Sequence, residues 1–468
     1  MENLYTGILT IVICGVLVVS SFLLFKKEHT SVALVLLLLS GFVLRFYTSC
    51  DWYLHEWDER YHALVAKNMM LFPFKPMLYA NPLLPFDVHS WSSNHIWLHK
   101  LPIPLWCMAL SMKIFGVNEL ALRLPSMLLS TIAIFLIYRI GTDLFNKKIG
   151  FISAFLLSIN GLIIELSAGR VPTDHVDVFF MFFVLASFYF IVQHYKKASH
   201  CMLALAGILM GLAILSKWLP AIILLPMILI LNWGRQKNIQ LALQVLVFTS
   251  FACITAIPWV LYINHYFPEE AAIESGHRLQ HFFKVLDEQG GTFLFHFIKA
   301  TAVVHEFVWV ALLFSILVAF KIGSRKIYTL LVWLLIPYLF FSFSQTKMQA
   351  YLLFCVPAAF MLLAYFYQNV IVNLEFNTYF KKILIICFFF LPIRYCIERT
   401  KCFQQREREP NWAKQLKQLN NLPPNTVLFN EPHAIEAMFY TNAVAYSYTP
   451  NQHVIDSLKV EGYNIVIR

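Results

Sequence analysis

Apolar runs long enough to cross a bilayer recur almost from end to end of this chain, and that leaves little freedom in its fold. In hydrocarbon every backbone N–H and C=O must be satisfied within the protein, so runs of about 20 apolar residues become helices packed on one another. Such runs fall near 5–25, 31–47, 120–140, 150–168, 175–195, 201–216, 218–233, 239–262, 307–321, 327–343, 349–367 and 383–397, twelve in all. Only 13% of the 468 residues are charged, about half the share in soluble domains. The expected class is an all-α polytopic membrane protein. Leu4–Phe25 follows no basic region and precedes no small-residue cleavage site, so it reads as a retained span rather than a signal peptide.

The net charge of +10 has a topological pattern. Lys26–Lys27, Lys147–Lys148, Lys196–Lys197, Arg235 with Lys237, Lys321 with Arg325 and Lys326, and Lys381–Lys382 all occupy one side when twelve spans are counted. Positive loops stay in the cytoplasm, so the long loops 50–118 and 263–306 are expected to face outward from the cell (inner) membrane, as is the tail. This distribution argues against nucleic acid as a partner. The nine cysteines are scattered without CxxC pairs, which indicates neither a disulfide framework nor a thiolate zinc site. From Glu398 the composition turns polar, with strand-like runs at Thr426–Phe429 and Asn464–Ile467. Two domains are expected: membrane helices over 1–397 and a small α/β soluble appendage over 398–468.

The most polar stretch near any span is Asp51–Ala63, DWYLHEWDERYHA, with four acids, two histidines, one arginine and four aromatics in thirteen positions. Leu54, Trp57, Tyr61 and Leu64 recur at helical spacing, which predicts an amphipathic helix lying along the membrane surface. Asp58 and His62 then share a neighbouring face.

Other charges stand where apolar runs end on the outer side: His99 and Lys100 in WLHKLP, Arg170, Asp174 and Asp177 in AGRVPTDHVD, Lys217 in GLAILSKW, and Lys347 in SQTKMQAYLL. Each alone has a plain explanation: a lysine snorkels to the headgroups and an aspartate caps a helix. Collected at one depth on one side, they describe a site for an anionic substrate. Two rim lysines on the outer side also run against the usual charge bias.

These features in this order, from acidic loop helix to Lys-Pro-rich helix, RLPS span, Arg–Asp turn and GLAxLxK, resemble the polytopic GT-C glycosyltransferases. The nearest groups are the dolichyl-phosphate-mannose protein mannosyltransferases and the transferases that add aminoarabinose to lipid A. The resemblance covers residues from about 40 to 365 and implies a sugar transferase of the cell envelope, about twelve transmembrane helices with juxtamembrane amphipathic helices, and a polyprenyl-phosphate sugar donor. The acceptor stays open among lipid, glycan and protein. Residue by residue, the resemblance implies catalytic roles for Asp58, Glu59 and Asp174, with Asp58 at the acceptor nucleophile. It implies substrate-binding roles for Lys100, Arg170, Asp177, Lys217 and Lys347. Arg60 and Tyr61 are placed with the substrate, although they are shifted by one position against the family pattern. A divalent metal, zinc, is implied between His99 and Glu288, an exchange of the family's carboxylate and histidine.

The chemistry agrees with that reading. A polyprenyl-phosphate leaving group is already anionic and needs cations rather than a proton, and preorganised charges of this kind contribute several kcal/mol, roughly 3 each. Lys100, Arg170, Lys217 and Lys347 suit that task, and Asp58 can take or orient the acceptor proton. The alternative class is a transporter or flippase of lipid-linked sugars, which would hold its ligands near the bilayer midplane.

Overall fold

The computed structural model describes residues 2–235, 237–286, 288–304, 306–375 and 378–468. All twelve expected apolar segments are helical or largely so. Among the described residues eight helices are long and apolar enough to cross a membrane, or up to ten when each of two bent pairs counts as one span, against the twelve spans expected. One such pair, Lys147–Ser158 with Gly161–Ser167, bends by 53°, and its second half opens at an Asn160 cap. The segment Leu219–Asn232 falls short of a full crossing and opens with a 3-10 turn at Pro220. Asn side chains also cap the starts of Glu119–Leu144 and Lys147–Ser158, satisfying backbone donors that a helix end leaves free.

Asp174–Lys197 lies at the centre of the bundle, 83% of its most apolar window being enclosed, whereas Asn3–Lys26 is 17% enclosed and forms the outer edge. Neighbouring spans meet closely where side chains vanish. A methyl group on Gly141 would lie 2.7 Å from the Cα of Gly150, so the helices on either side of Phe145 touch backbone to backbone.

The two ends of the bundle differ in chemistry. At one end Lys196 pairs with Asp143 at 2.5 Å, Lys326 reaches the Leu144 carbonyl at 2.5 Å, and Arg235 reaches that of Tyr195 at 2.6 Å. The loops rich in Lys and Arg therefore gather together. At the other end lie the two long loops and the tail.

The tail builds a three-stranded parallel sheet in the order Val444–Ala445, Thr426–Phe429, Asn464–Ile467, matching the two strand-like runs. Helices Asn411–Gln418, Ala434–Tyr440 and Gln452–Val460 accompany it. It packs directly on the first long loop. Lys67 donates to the carbonyls of Met438, Phe439 and Thr441 at 2.6–3.0 Å. The Tyr440 hydroxyl reaches Glu119 at 2.8 Å, and the Tyr446 hydroxyl accepts from the amides of Leu83 and Leu84.

This packing corrects the expectation for the acidic stretch. Its helix is Asp58–Met69, beginning only at Asp58, because Trp57 holds a positive φ of 71°. Tyr61, Ala63, Leu64, Val65 and Ala66 are buried, with Pro102–Phe115 on one side and Ala434–Tyr440 on the other. The helix is a packed element of the fold rather than a raft on the membrane surface.

Candidate active site

A cavity of about 840 Å³ opens beneath the loops. Its floor and sides are apolar, with Ile222, Ile223, Pro226, Ile336, Phe340 and Phe354 among the lining residues, while Asp58, His99, Lys100 and Lys217 also reach its wall. Such a union of an aliphatic trough with convergent charges is the usual form of a binding site.

Asp58 begins its helix, where the dipole favours an anion. Its Oδ2 accepts from the Thr173 amide at 2.7 Å and its Oδ1 lies 3.3 Å from Lys100 Nζ. Burial pushes the carboxyl up, but Lys100, His62, His99 and the Thr173 amide together outweigh it and hold Asp58 well below the usual range. The amide is available because Thr173 adopts a left-handed conformation, φ 67°. Trp57 and Trp218 also line the cavity and also hold positive φ. Strain of this kind, on the order of 1–3 kcal/mol per residue, persists only where surrounding structure imposes it, and it clusters at functional sites.

Lys217 ends its helix against Asp177 and sits 4.7 Å from the Tyr351 ring centroid, a cation held over an aromatic face. Asp174 takes no part in the cavity wall: buried His62 lies 3.0 Å from one of its carboxylate oxygens. Glu59 is turned away from Asp58, completely buried, and paired with Arg123 Nε at 2.7 Å. It also accepts from the His55 amide at 2.7 Å. Burial raises its carboxyl, and Arg123, His55 and His175 more than offset that. Gly169, at φ 71°, leaves the room that Glu59 occupies.

Two predicted phosphate ligands stand elsewhere. Arg170 lies 3.0 Å from Asp51, in a buried cluster that Arg406 and Arg408 of the tail join. The Lys347 ammonium is enclosed by the carbonyls of Phe341, Ser342 and Ser344, closing the C-terminus of Arg325–Phe343, where a cation is favoured. Arg60 and Tyr61 face a second, smaller cavity.

The partner of His99 is also corrected. Glu288 is exposed, and the carboxylate beside His99 is Glu274, 3.5 Å away. Burial lowers the His99 imidazole and Lys100 lowers it further, against the pull of Glu274. His277 lies next to His99 with ring centroids 5.6 Å apart, and His281 follows at 5.0 Å from His277. Among the described residues no three His, Cys, Asp or Glu side chains converge where a metal ion could sit. The donor set therefore does not fit a zinc centre, and no step below runs through one. Glu274, His277, Arg278 and His281 were legible in PEEAAIESGHRLQHFF, whose spacing of three and four puts them on one helical face.

The solved structures that share this fold are GT-C glycosyltransferases. The chain resembles an aminoarabinose transferase (ArnT) from Cupriavidus metallidurans solved with undecaprenyl phosphate, at TM-score 0.64 and 16% identity over 91% of this chain and 87% of that one. It also resembles the oligosaccharyltransferase AglB of Archaeoglobus fulgidus, solved with an inhibitory peptide and a dolichol-phosphate, at TM-score 0.59 and 15% identity over 90% and 65% of the two chains.

In sequence, residues 99–262 match the family model of dolichyl-phosphate-mannose-protein mannosyltransferases. Two undecaprenyl phosphate-α-4-amino-4-deoxy-L-arabinose arabinosyl transferases of Pseudomonas fluorescens are similar. They are 27% identical over 55% of this chain and 46% of the relative, and 26% identical over 65% and 54%. The chain thus spans about half the length of the curated relatives it matches. A putative mannosyltransferase of Bacillus subtilis is 26% identical over 43% of this chain and 27% of its own.

Proposed function

We propose that this protein transfers a sugar from a polyprenyl-phosphate donor to an acceptor on the outer face of the membrane. The single observation that carries the reading is the composition of the large cavity: an aliphatic trough for a prenyl chain, with Lys100, Lys217 and ionised Asp58 on its wall. The relatives named for undecaprenyl phosphate support the same donor class.

In this reading the donor phosphate enters between Lys100 and Lys217, and charge growing on the leaving phosphate is met by both ammonium groups in a site poor in water. Asp58 is a weak base while Lys100 lies beside it. When Lys100 turns to the phosphate, the carboxylate loses its strongest attractive neighbour, its affinity for a proton rises, and it accepts the hydrogen of the incoming nucleophile. The anomeric carbon exchanges the phosphate oxygen for the acceptor oxygen in one displacement, with inversion. Retention would require a carboxylate nucleophile near the sugar, and Asp174 is held by His62 outside the cavity wall.

The gathering of the basic loops at the opposite end supports an outward-facing site. The domain boundary near residue 398 is retained in this reading, with the tail acting as a wall of the loop region. The test is transfer of labelled sugar from synthetic undecaprenyl-phosphate donors by the purified protein in liposomes. Release of undecaprenyl phosphate with formation of a glycosylated acceptor supports the reading. Movement of an intact donor across the bilayer without cleavage would replace it by transport.

A further inference from the structure

The second cavity, about 400 Å³, lies between the first long loop and the tail, within the lower part of the range of ligand pockets, about 300–1,000 Å³. The first loop contributes Arg60, Tyr61 and Asp87, and the tail contributes Glu436, Tyr446 and Tyr448. Arg60 lies 3.4 Å from Glu436, yet the pair leaves two polar atoms unanswered. Arg60 Nε and Glu436 Oε2 are both buried without a hydrogen-bond partner, and Glu436 is 1% exposed. Both atoms are enclosed in a wall that their residues line, an arrangement that costs free energy and that a ligand drawing either side chain forward would relieve.

The rest of the wall narrows the chemistry. Tyr446 is fixed by stacking on Tyr79, ring centroids 5.3 Å apart at 13°, and by the two amides its hydroxyl accepts from. Tyr448 stands beside it at 6.1 Å and is 51% exposed. Tyr446 is covered by Phe429 as well, at 5.8 Å and 27°, and so serves as the rigid backing of the wall, while the half-exposed Tyr448 ring offers apolar contact with a polar edge at small entropic cost. A group that donates and accepts through one atom, repeated around an apolar-faced ring, answers Arg60, Glu436 and Tyr448 together. That is a sugar with its hydroxyls.

The cavity also adjoins the first one. Tyr61 on its wall meets Trp91 edge to face at 4.8 Å, and Trp91 lines the large cavity and stacks on His99 at 5.2 Å. Tyr61 lies three residues beyond Asp58 on the same helix. One aromatic pair separates the two spaces.

We infer that this cleft is a glycan-binding subsite, built jointly by the first loop and the tail, that holds the carbohydrate part of the acceptor next to Asp58. The inference rests on the proposed transferase reading. It identifies the tail as a specificity element.

The experiment uses the full chain in detergent on an array of soluble glycans, with a peptide array in parallel and undecaprenyl phosphate binding measured separately. Glycan binding by the wild type is expected, weakened about tenfold or more in Tyr448→Ala and in Glu436→Gln, and retained in Tyr448→Phe. Glu436→Gln keeps size and packing, and Tyr448 is half exposed, so both variants are expected to fold. Binding of undecaprenyl phosphate with no glycan bound overturns the inference and leaves the donor site standing. Glycan binding unchanged in both variants places the glycan elsewhere and overturns it, as does binding of peptides in place of glycans. Failure to bind undecaprenyl phosphate strikes the transferase reading itself, whatever the arrays show.

Discussion

Lys100 Nζ lies 3.3 Å from Asp58 Oδ1 on the wall of the large cavity. One cation therefore stands where it can neutralise either the carboxylate or an incoming phosphate. Asp58→Asn removes the proton acceptor and leaves Lys100 free, so turnover is expected to fall by roughly 10²–10⁴ while affinity for undecaprenyl phosphate holds or rises. Steady-state transfer and binding on the same purified variant decide this. Near wild-type turnover would remove Asp58 from the mechanism.

Glu59 is expected to behave differently from its neighbour. Its carboxylate answers Arg123 inside the fold, and removing one partner of a buried ion pair costs about 3–5 kcal/mol. Glu59→Gln should lower the melting temperature in detergent by several degrees, with Arg123→Met acting similarly and the double variant recovering part of the loss. Full stability with abolished transfer would instead assign Glu59 to the chemistry.

Lys217 and Lys347 look alike in sequence, each closing an apolar run, and are expected to part in experiment. Lys217→Met should weaken undecaprenyl phosphate binding about tenfold or more, since one charge-assisted contact contributes about 1.5–3 kcal/mol. Lys347→Met should leave that affinity within about twofold and lower stability, because its ammonium serves three helix-end carbonyls. Equal losses of affinity would return Lys347 to the donor site.

A fourth expectation concerns pH. Burial pushes the His281 imidazole down to about 4, and His277, His99, Lys100 and Lys217 add to the effect. The unfolded chain takes up this proton near pH 6.5, so between about 6.5 and 4 it binds more protons than the folded state. Stability therefore declines as pH falls through that window. Thermal melts of wild type and His281→Gln across pH 4–7 should show a shallower acid slope in the variant. Parallel slopes would dismiss His281 as a contributor.

Orientation can be read by cysteine labelling in a background without the exposed native Cys201 and Cys253. Cysteines at Asp87 and Lys459 should react with impermeant reagent added outside intact cells, and those at Lys147 and Lys237 should not. Reversed labelling would turn the molecule over and place the proposed site in the cytoplasm.

Much of this architecture was legible in the chain because hydrocarbon allows so few solutions: apolar runs became helices, and the two strand-like runs of the tail became strands. Cavity-wall residues were legible where a charge interrupts an apolar run, as at Lys100 and Lys217. That signal also picked out Lys347 and Arg170, since a charge at a helix end looks the same whether it faces a cavity, a carbonyl or a carboxylate. Glu59 and Asp58 are adjacent in sequence, and the pairing of Glu59 with Arg123, 64 residues away, sets their surroundings apart. The packing of the tail on the first loop had no local signature. It depends on pairs such as Lys67 with Met438, 371 residues apart.

Arg60 and Glu436 are separated by 376 residues, and the ribosome releases them in that order. A nascent chain whose membrane spans are already inserted still has an uncovered Asp58–Met69 helix, because the residues that close over it have not been made. The loop region is thus completed last. Closing so long an interval adds little entropy cost beyond that of a shorter one, so the delay is one of timing. Any chain cut short before Ala434–Tyr440 would keep the lining of its large cavity and lose one wall of the smaller one beside Arg60.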